Sequence, residues 1–344
     1  MEVVLRKSIK ISSLYLAMLA LFCFNNNAAD EIILDKDRGS LQLVTSILQT
    51  DKLTQNATQD NSIIVEIISP HTYQQKLLAL SIDQACTNDD EDTITIDDKS
   101  TIVVTSDLSN SQGKTTSIKP HIFKQHKTLV AVVIDVFRAF TTACYILEKL
   151  PASYMFTNKS IVVSQHVSKF YDPFLIGKAE RGATLKYDIP NSPTRVKEFD
   201  LKSRNVLHRT EGGASGILMS KGADLILAAS LANANATVRY LSKLQNPIVT
   251  LLPMGHEGNT PSLEDDICAQ YIEAQLKGKT FDLSQYHSAL REGSGKYFFS
   301  EDQWQYPNQD FDLCLDVGRF NFAILADVHD EYAILKRLDN IGTQ

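Results

Sequence analysis

An aspartate and an arginine stand three residues apart at the end of one apolar run. The run, residues 129–134, ends at Asp135; Arg138 follows, and Thr141 and Thr142 open a segment with helical character. A carboxylate suits a divalent cation, and a guanidinium suits a phosphate or another oxyanion. The same side chains could instead be structural, with Asp135 capping the next helix and Arg138 pairing with it. This stretch alone therefore indicates either the mouth of an active site or a braced turn.

A glycine-rich turn offers a second place for an anion. Thr210 precedes the turn at residues 211–216, and Gly212 and Gly213 let backbone N–H groups approach an oxyanion at the start of a helix. The spacing matches neither a Walker A loop nor a dinucleotide fingerprint. A tight turn without a ligand is the competing interpretation.

Consecutive acidic residues open a later helix. Ser262 can be the N-cap, and Asp265, three residues on, can close a capping box. That arrangement leaves Glu264 and Asp266 freer to face a crevice, where their oxygen atoms suit Mg²⁺. The pattern predicts that both a helix cap and a metal site share this short segment.

Strand-like and helix-like segments alternate from about Thr128 onwards. The strand-like run 224–229, for example, leads into a loop that carries Ser230 and Asn233 before the next helix. This alternation predicts an α/β fold with a largely parallel or mixed sheet and helices on both faces. In a parallel sheet the strand-to-helix loops share one edge, where ligands bind. We therefore expect the polar loops to converge in one crevice.

Composition restricts the class of protein. The chain has 344 residues, 43% hydrophobic residues and 22% charged residues, which is typical of a globular protein. Its net charge is −7 and it has no basic stripe interleaved with aromatic residues, so no nucleic-acid partner is expected. The five cysteines form no C-x-x-C pair, and neither a disulfide framework nor a zinc site follows from their spacing.

The N-terminus has the order of a secretory signal. Three basic residues, Arg6, Lys7 and Lys10, precede the apolar run 14–24, and small and polar residues follow to position 29. Residues 1–29 are thus predicted to be a signal peptide of an exported protein, periplasmic or secreted, with an uncleaved membrane anchor as the alternative. Residues 30–118 are predicted to be a small, weakly specified N-terminal region with an acidic linker, and residues 119–344 form the main domain.

Taken together, these elements resemble the 2-phosphosulfolactate phosphatase family, also called the ComB family. The resemblance covers about residues 125–325 and consists of short motifs in the family's order. Those motifs are Asp135–Ala139 followed by Thr141 and Thr142, Ala179–Gly182, Asn191–Pro193, Ser230–Ala234, Leu263–Ala269 and, more weakly, Asp312–Asp316.

The resemblance implies a ComB-like fold for residues 119–344 and a Mg²⁺-dependent phosphatase. The implied substrate is a small anionic phosphate monoester, 2-phosphosulfolactate or a related compound, and a homo-oligomer is one state left open. The implied site residues are Asp135, Arg138, Glu180 and Arg181 for catalysis; Asn191, Ser192, Thr210, Gly212, Gly213, Ser230 and Asn233 for substrate; and Asp135, Glu264 and Asp266 for the metal.

One segment departs from the family's pattern. Residues 209–213 replace the family's Thr-Thr-Asn-Gly-Thr, so that Glu211 puts a negative charge where a neutral amide is usual. That charge could repel an anionic substrate or recruit another cation. With the predicted signal and the added N-terminal region, it motivates an alternative: a secreted binding or interaction protein on a catalytically retired phosphatase fold.

Overall fold

The chain divides into two compact units, residues 1–60 with 78–123 and residues 61–77 with 124–344. The computed structural model describes residues 2–4, 31–35, 40–44, 63–74, 76, 92–96, 102–106, 128–178, 182, 184–256 and 260–339. The predicted signal peptide, apart from Glu2–Val4, lies outside these residues. Across the described residues, every helix is too short or too polar to cross a bilayer.

The first unit contains one five-stranded sheet in its described part. Its strands are β1 Glu2–Val4, β2 Glu31–Asp35, β3 Ser40–Val44, β5 Asp92–Ile96 and β6 Ile102–Ser106. Their order is β2-β3-β1-β6-β5, with β1 and β6 parallel and the other pairs antiparallel. Isoleucine, valine and threonine predominate in β5 and β6, as is usual for strands.

The second unit is built on a nine-stranded sheet, counted over the described residues. Its strands are β4 Ile64–Ile67, β7 Leu129–Ile134, β8 Ser153–Thr157, β9 Phe174–Gly177, β10 Asn205–Arg209, β11 Leu225–Ala229, β12 Ile248–Pro253, β13 Ala323–Val328 and β14 Ala333–Leu338. Their order in the sheet is β4-β12-β7-β11-β13-β14-β8-β10-β9. The sheet therefore has a central hairpin, β13–β14, from the far end of the sequence.

The mixed form of the predicted sheet is the one observed. Strands β4, β12, β7 and β11 form one parallel block, and strands β8, β10 and β9 form another. The hairpin pairs antiparallel with β11 on one side and with β8 on the other, so the two blocks run in opposite directions. The expectation that all polar loops follow strands ending at one sheet edge is therefore wrong for the loop after β10.

Helices cover both faces of this sheet. They are α1 Ala139–Glu148, α2 Ser160–Val167, α3 Pro193–Lys197, α4 Gly212–Met219, α5 Ala234–Leu241, α6 Leu263–Leu276, α7 His287–Glu292 and α8 Gln309–Leu315. Alternate residues of β7 join different hydrophobic clusters: Val133 packs with residues of α1 and α4, and Val132 packs with residues of α5 and α6. A strand buried on both sides explains the continuous apolar run before Asp135.

Helix α4 brings the two blocks of the sheet together. It begins after β10, yet it packs across the sheet onto β7 of the other block. At Gly216 an added Cβ would lie 2.5 Å from Cγ1 of Val133 and 2.4 Å from Sδ of Met254, so only glycine permits this close packing. The glycine loop therefore reaches the end of β7 although β10 and β7 run in opposite directions.

A segment from the N-terminal region also belongs to the second unit. Strand β4 pairs in parallel with β12, and Glu66 on that strand accepts a 2.7 Å hydrogen bond from the hydroxyl of Thr250. Lys76 forms an ion pair with Glu66. Tyr73, only 4% exposed, lies in the same hydrophobic cluster as Val133. The described residues of this segment, 63–74 and 76, thus pack as an integral edge of the second unit.

Tyr73→Ala should lower the free energy of unfolding by about 3–5 kcal/mol, because it removes a buried ring from the core. Urea titration followed by the fluorescence of the single tryptophan, Trp304, would report on this unit. Tyr171→Ala is the matched control, since Tyr171 is 96% exposed and its loss should change stability by less than about 0.5 kcal/mol. Equal midpoints for the two variants would show that residues 61–77 do not pack here in solution.

Candidate active site

Asp135 lies where the first turns of two helices meet. Its Oδ1 accepts a 3.0 Å hydrogen bond from the N–H of Ala139 in α1, and its Oδ2 accepts a 2.8 Å bond from the N–H of Gly213 in α4. The positive ends of both helix dipoles therefore face this carboxylate. An added Cβ at Gly213 would lie 3.0 Å from Oδ2, which accounts for glycine there. Asp135 both caps α1 and stands in the candidate site.

Asp265 is a second buried carboxylate at this place. Its Oδ1 accepts a 2.7 Å bond from the N–H of Val136, and its Oδ2 accepts a 2.8 Å bond from the N–H of Gly255. The side chain thus ties the end of β7 to the end of β12. The predicted capping box is wrong, because both oxygens of Asp265 bond to these N–H groups rather than to the N-cap residue Ser262.

The two acids beside Asp265 differ in their surroundings. Glu264 is buried and accepts a hydrogen bond from the hydroxyl of Ser294. Asp266 is half-buried, and its backbone N–H donates to the carbonyl of Ser262 within the first turn of α6. The structure therefore places Glu264 and Asp265 in the buried acidic cluster with Asp135, while Asp266 lies at its rim.

Negative charge accumulates in this cluster without full compensation. The pKa of Asp135 is raised to about 6, because burial and, less strongly, the charge of Glu264 raise it more than the N–H groups of Ala139 and Gly213 and the charge of Arg138 lower it. Burial, followed by the charges of Asp135 and Glu264, raises the pKa of Asp265 well above its usual value. Burial also raises the pKa of Glu264. These carboxylates would be stabilised as anions by an added cation.

The cluster is suited to a metal that keeps part of its water shell. Among the described residues, no three histidine, cysteine, aspartate or glutamate side chains are arranged as a ready-made metal site. Mg²⁺, however, is usually held by one or two carboxylates together with water and substrate phosphate oxygens. The carboxylates of Asp135 and Glu264, which are buried and have raised pKa values, fit that requirement.

Arg138 is held by a buried acid that sequence reasoning missed. Its Nη1 donates to Oδ2 of Asp310 at 2.7 Å and to the carbonyl of Gln305 at 2.8 Å. Its guanidinium lies 4.9 Å from the ring centre of Tyr306 and 5.6 Å from that of Phe298. A cation enclosed by aromatic rings and one carboxylate is both fixed and stabilised. Arg138 is thus a rigidly placed cation near Asp135.

Asp310 in α8 connects several elements. It is completely buried, and its Oδ1 accepts 2.9 Å bonds from the hydroxyl of Ser192 and from the N–H of Thr194. Ser192 is also the N-cap of α3. The hydroxyl of Ser192 thus donates to Asp310, and the predicted substrate contact of Ser192 stays a prediction. The adjacent Asn191 is half-buried and its Oδ1 has no hydrogen-bond partner, so its predicted substrate contact stays a prediction.

The loop after β11 closes upon itself. Ser230 and Asn233 are completely buried. Oδ1 of Asn233 accepts a 2.8 Å bond from the N–H of Ser230, and its Nδ2 donates to the carbonyl of Ala228 at 3.1 Å. The side chain of Asn233 therefore closes this loop, and the predicted substrate contacts of Ser230 and Asn233 stay predictions.

The departure at Glu211 is accompanied by a partner. Nη2 of Arg209 donates to Glu211 at 2.6 Å, while its Nε donates to the carbonyl of Asn158 and its Nη1 to that of Lys178, both at 3.2 Å. Thr210, which lies between Arg209 and Glu211 in the sequence, is half-buried. Its N–H donates to the carbonyl of Thr157 at 3.0 Å. The negative charge of Glu211 is therefore paired within the protein.

Two predicted catalytic residues and one histidine near the site remain to be placed. Glu180 and Arg181 lie outside the described residues, so their catalytic roles stay predictions. His208 is completely buried, and its Nδ1 lies 2.7 Å from the hydroxyl of Tyr154. Burial, helped by the charge of Arg138, lowers the pKa of His208 to about 3, so the ring is neutral near pH 7.

Comparison with known proteins agrees with this geometry. A family model described as 2-phosphosulpholactate phosphatase matches residues 116–298. Similar proteins include probable 2-phosphosulfolactate phosphatases of Symbiobacterium thermophilum, 35% identical over 43% of this chain and 64% of the relative, and of Synechocystis, 32% identical over 45% and 64%. The corresponding protein of Clostridium perfringens is 28% identical over 46% of this chain and 65% of its own length.

The chain thus spans just under two thirds of the length of these relatives. The matched residues include Asp135, Arg138, Gly213 and the acidic start of α6, whereas Asp310 lies beyond them. Because the family model covers more than half of the 344 residues, the chain belongs to the 2-phosphosulpholactate phosphatase family.

Proposed function

We propose that this protein is a Mg²⁺-dependent phosphatase that hydrolyses a small anionic phosphate monoester, 2-phosphosulfolactate or a related compound, to the alcohol and inorganic phosphate. The observation that carries the proposal is the buried acidic cluster of Asp135, Glu264 and Asp265 beside the fixed cation Arg138. Membership of the family supports the same reaction.

The acidic cluster would hold the metal. Asp135 and Glu264 are the proposed ligands, Asp266 lies at the rim, and Asp265 positions the segment by its two backbone bonds. The chemistry that Mg²⁺ supplies when bound is neutralisation of charge on the phosphoryl oxygens and activation of water. The raised pKa values of the buried carboxylates favour this assignment, because a bound cation would offset the burial, and the smaller charge repulsion, that raise them.

Arg138 would bind the phosphoryl group. Both hydrogen bonds that Arg138 donates to the described residues leave from Nη1, so Nη2 and Nε are the atoms that an oxyanion would meet. The fixed guanidinium needs little reorganisation when charge develops on the phosphoryl oxygens, which is the main requirement for stabilising a transition state. Water adds to phosphorus, the ester P–O bond breaks, and the departing alcohol oxygen takes a proton.

Phosphate release from a panel of small phosphate esters, 2-phosphosulfolactate included, tests the proposal. The full chain should release phosphate with Mg²⁺, and release should stop after chelation and return when Mg²⁺ is restored. Isothermal calorimetry of Mg²⁺ alone gives an independent reading of the metal site. Absence of release from every ester, with and without metal, would contradict the proposed activity.

A further inference from the structure

The segment 294–299 lies against the candidate active site. The hydroxyl of Ser294 donates a hydrogen bond to the buried carboxylate of Glu264. One turn of 3₁₀ helix follows, and within it the ring of Phe298 packs edge to face on Phe137, with 5.1 Å between the ring centres. Phe137 directly precedes the arginine of the site. The segment is therefore fixed both at the acidic cluster and at the turn that carries the cation.

Tyr297, within this segment, belongs to the aromatic group around Arg138. Its ring centre lies 5.0 Å from that of Tyr306 and 4.5 Å from that of Phe298. These are the two rings over which the guanidinium lies, at 4.9 Å and 5.6 Å. Tyr297 is thus one ring away from the cation proposed to bind the phosphoryl group, and three residues after the serine that bonds to Glu264.

The hydroxyl group of Tyr297 is free. Within the described part of the chain it has no hydrogen-bond partner. Its oxygen is not fully buried, so a ligand can reach it. A tyrosine hydroxyl in a mainly apolar setting usually finds a partner. The neighbouring polar groups of Ser294 and Glu264 are bonded to each other, which leaves the hydroxyl of Tyr297 as an uncommitted donor beside the site.

This hydroxyl stays protonated in its surroundings. Burial raises the pKa of Tyr297 well above its usual value; the charge of Arg138 lowers it, and the charges of Glu264 and Asp135 raise it. The phenol is therefore neutral near pH 7 and can donate a hydrogen bond without adding negative charge to the acidic cluster. A neutral donor suits an oxyanion, which the carboxylates of the cluster would repel.

Resting on the function proposed above, we propose that Tyr297 is a substrate-binding residue whose hydroxyl donates a hydrogen bond to a phosphoryl oxygen bound at Arg138. The arginine would meet the phosphoryl group with Nη2 and Nε, and Mg²⁺ would meet it from the acidic cluster. The hydroxyl supplies a third, uncharged contact. Three contacts from different directions fix the orientation of a tetrahedral group, and orientation contributes to rate.

Tyr297→Phe tests the hydroxyl alone in the full chain, because it keeps the ring that packs on Tyr306 and Phe298. With Mg²⁺ present, kcat/KM for any ester that the protein hydrolyses should fall by at least about tenfold, the effect of one hydrogen bond to a charged group. The calorimetric dissociation constant of inorganic phosphate should rise by at least about threefold for the same reason. The dissociation constant of Mg²⁺ alone should stay unchanged.

The matched control is a second tyrosine of the same hydrophobic cluster. Tyr286 is also half-buried, and its ring stacks on Phe281 with 5.9 Å between the ring centres. Tyr286→Phe should leave turnover and phosphate binding unchanged. Equal phosphate binding by Tyr297→Phe and the unsubstituted chain would overturn the inference. Weaker Mg²⁺ binding with unchanged phosphate binding would also overturn it, because the hydroxyl would then belong to the water shell of the metal.

The inference can fail separately from the proposed activity. If the unsubstituted chain releases phosphate from no ester, the titration with inorganic phosphate still decides. Weaker phosphate binding in Tyr297→Phe would support the role of Tyr297, and equal binding would reject it. Absence of phosphate binding by the unsubstituted chain would reject the inference together with the phosphoryl site.

Discussion

Asp135→Asn is expected to lower turnover of phosphate esters by at least about a hundredfold, the usual cost of losing a preorganised charged group. The substitution removes the charge that Mg²⁺ would meet. It also replaces one carboxylate oxygen by an NH₂ group, so the side chain can no longer accept hydrogen bonds from both Ala139 and Gly213. Phosphate release under saturating Mg²⁺ measures the effect, and calorimetric titration with Mg²⁺ should show weaker metal binding in parallel.

Asp330→Asn is the matched control for this substitution. Its side chain is 94% exposed and pairs with Lys221 at the surface, so turnover and metal binding should stay unchanged. Full turnover by a folded Asp135→Asn protein would contradict the assigned role.

Asp310→Ala is expected to lower the free energy of unfolding by about 3–5 kcal/mol, because it leaves the charge of Arg138 buried without its partner. The hydroxyl of Ser192 and the N–H of Thr194 lose their acceptor as well. Urea titration measures the loss of stability. Phosphate release should also fall when it is measured without urea on the folded variant, since Arg138 is no longer fixed.

Asp312→Asn provides the comparison within the same helix. Asp312 is exposed in the first turn of α8, two residues after Asp310. Its substitution should change stability by less than about 0.5 kcal/mol. A stable Asp310→Ala protein with normal turnover would show that the aromatic neighbours and the carbonyl of Gln305 place Arg138 without Asp310.

The local part of the site could be predicted from the sequence. The apolar run, Asp135 and Arg138 are adjacent in the chain, and the structure shows the strand β7 and the helix α1 that the pattern predicts. The sequence predicts the acidic start of α6 correctly. It predicts that Asp265 closes a capping box, whereas Asp265 binds the N–H groups of Val136 and Gly255. A capping box and an inward-facing carboxylate share one sequence pattern, and only the rotation of the helix decides between them.

The long-range part of the site could not be predicted. Arg138 and Asp310 are 172 residues apart, and nothing local to Asp310 indicates an inward-facing acid. The direction of strands β8, β9 and β10 could not be predicted either. The alternation of strands and helices does not show that a C-terminal hairpin inserts between the two blocks of the sheet. The reversed block β8-β10-β9 follows from the pairing of β13 and β14 with strands far earlier in the chain.

The central hairpin also sets the order in which the protein can fold during synthesis. In the sheet of the described residues, β13 and β14 lie between β11 and β8, and both are made after the other strands of that sheet. Until residue 338 has left the ribosome, each block has an open edge where the hairpin belongs, and open edges invite pairing with other chains. Contacts between such distant segments slow folding, so the nascent chain is exposed to misassembly until synthesis of the sheet ends.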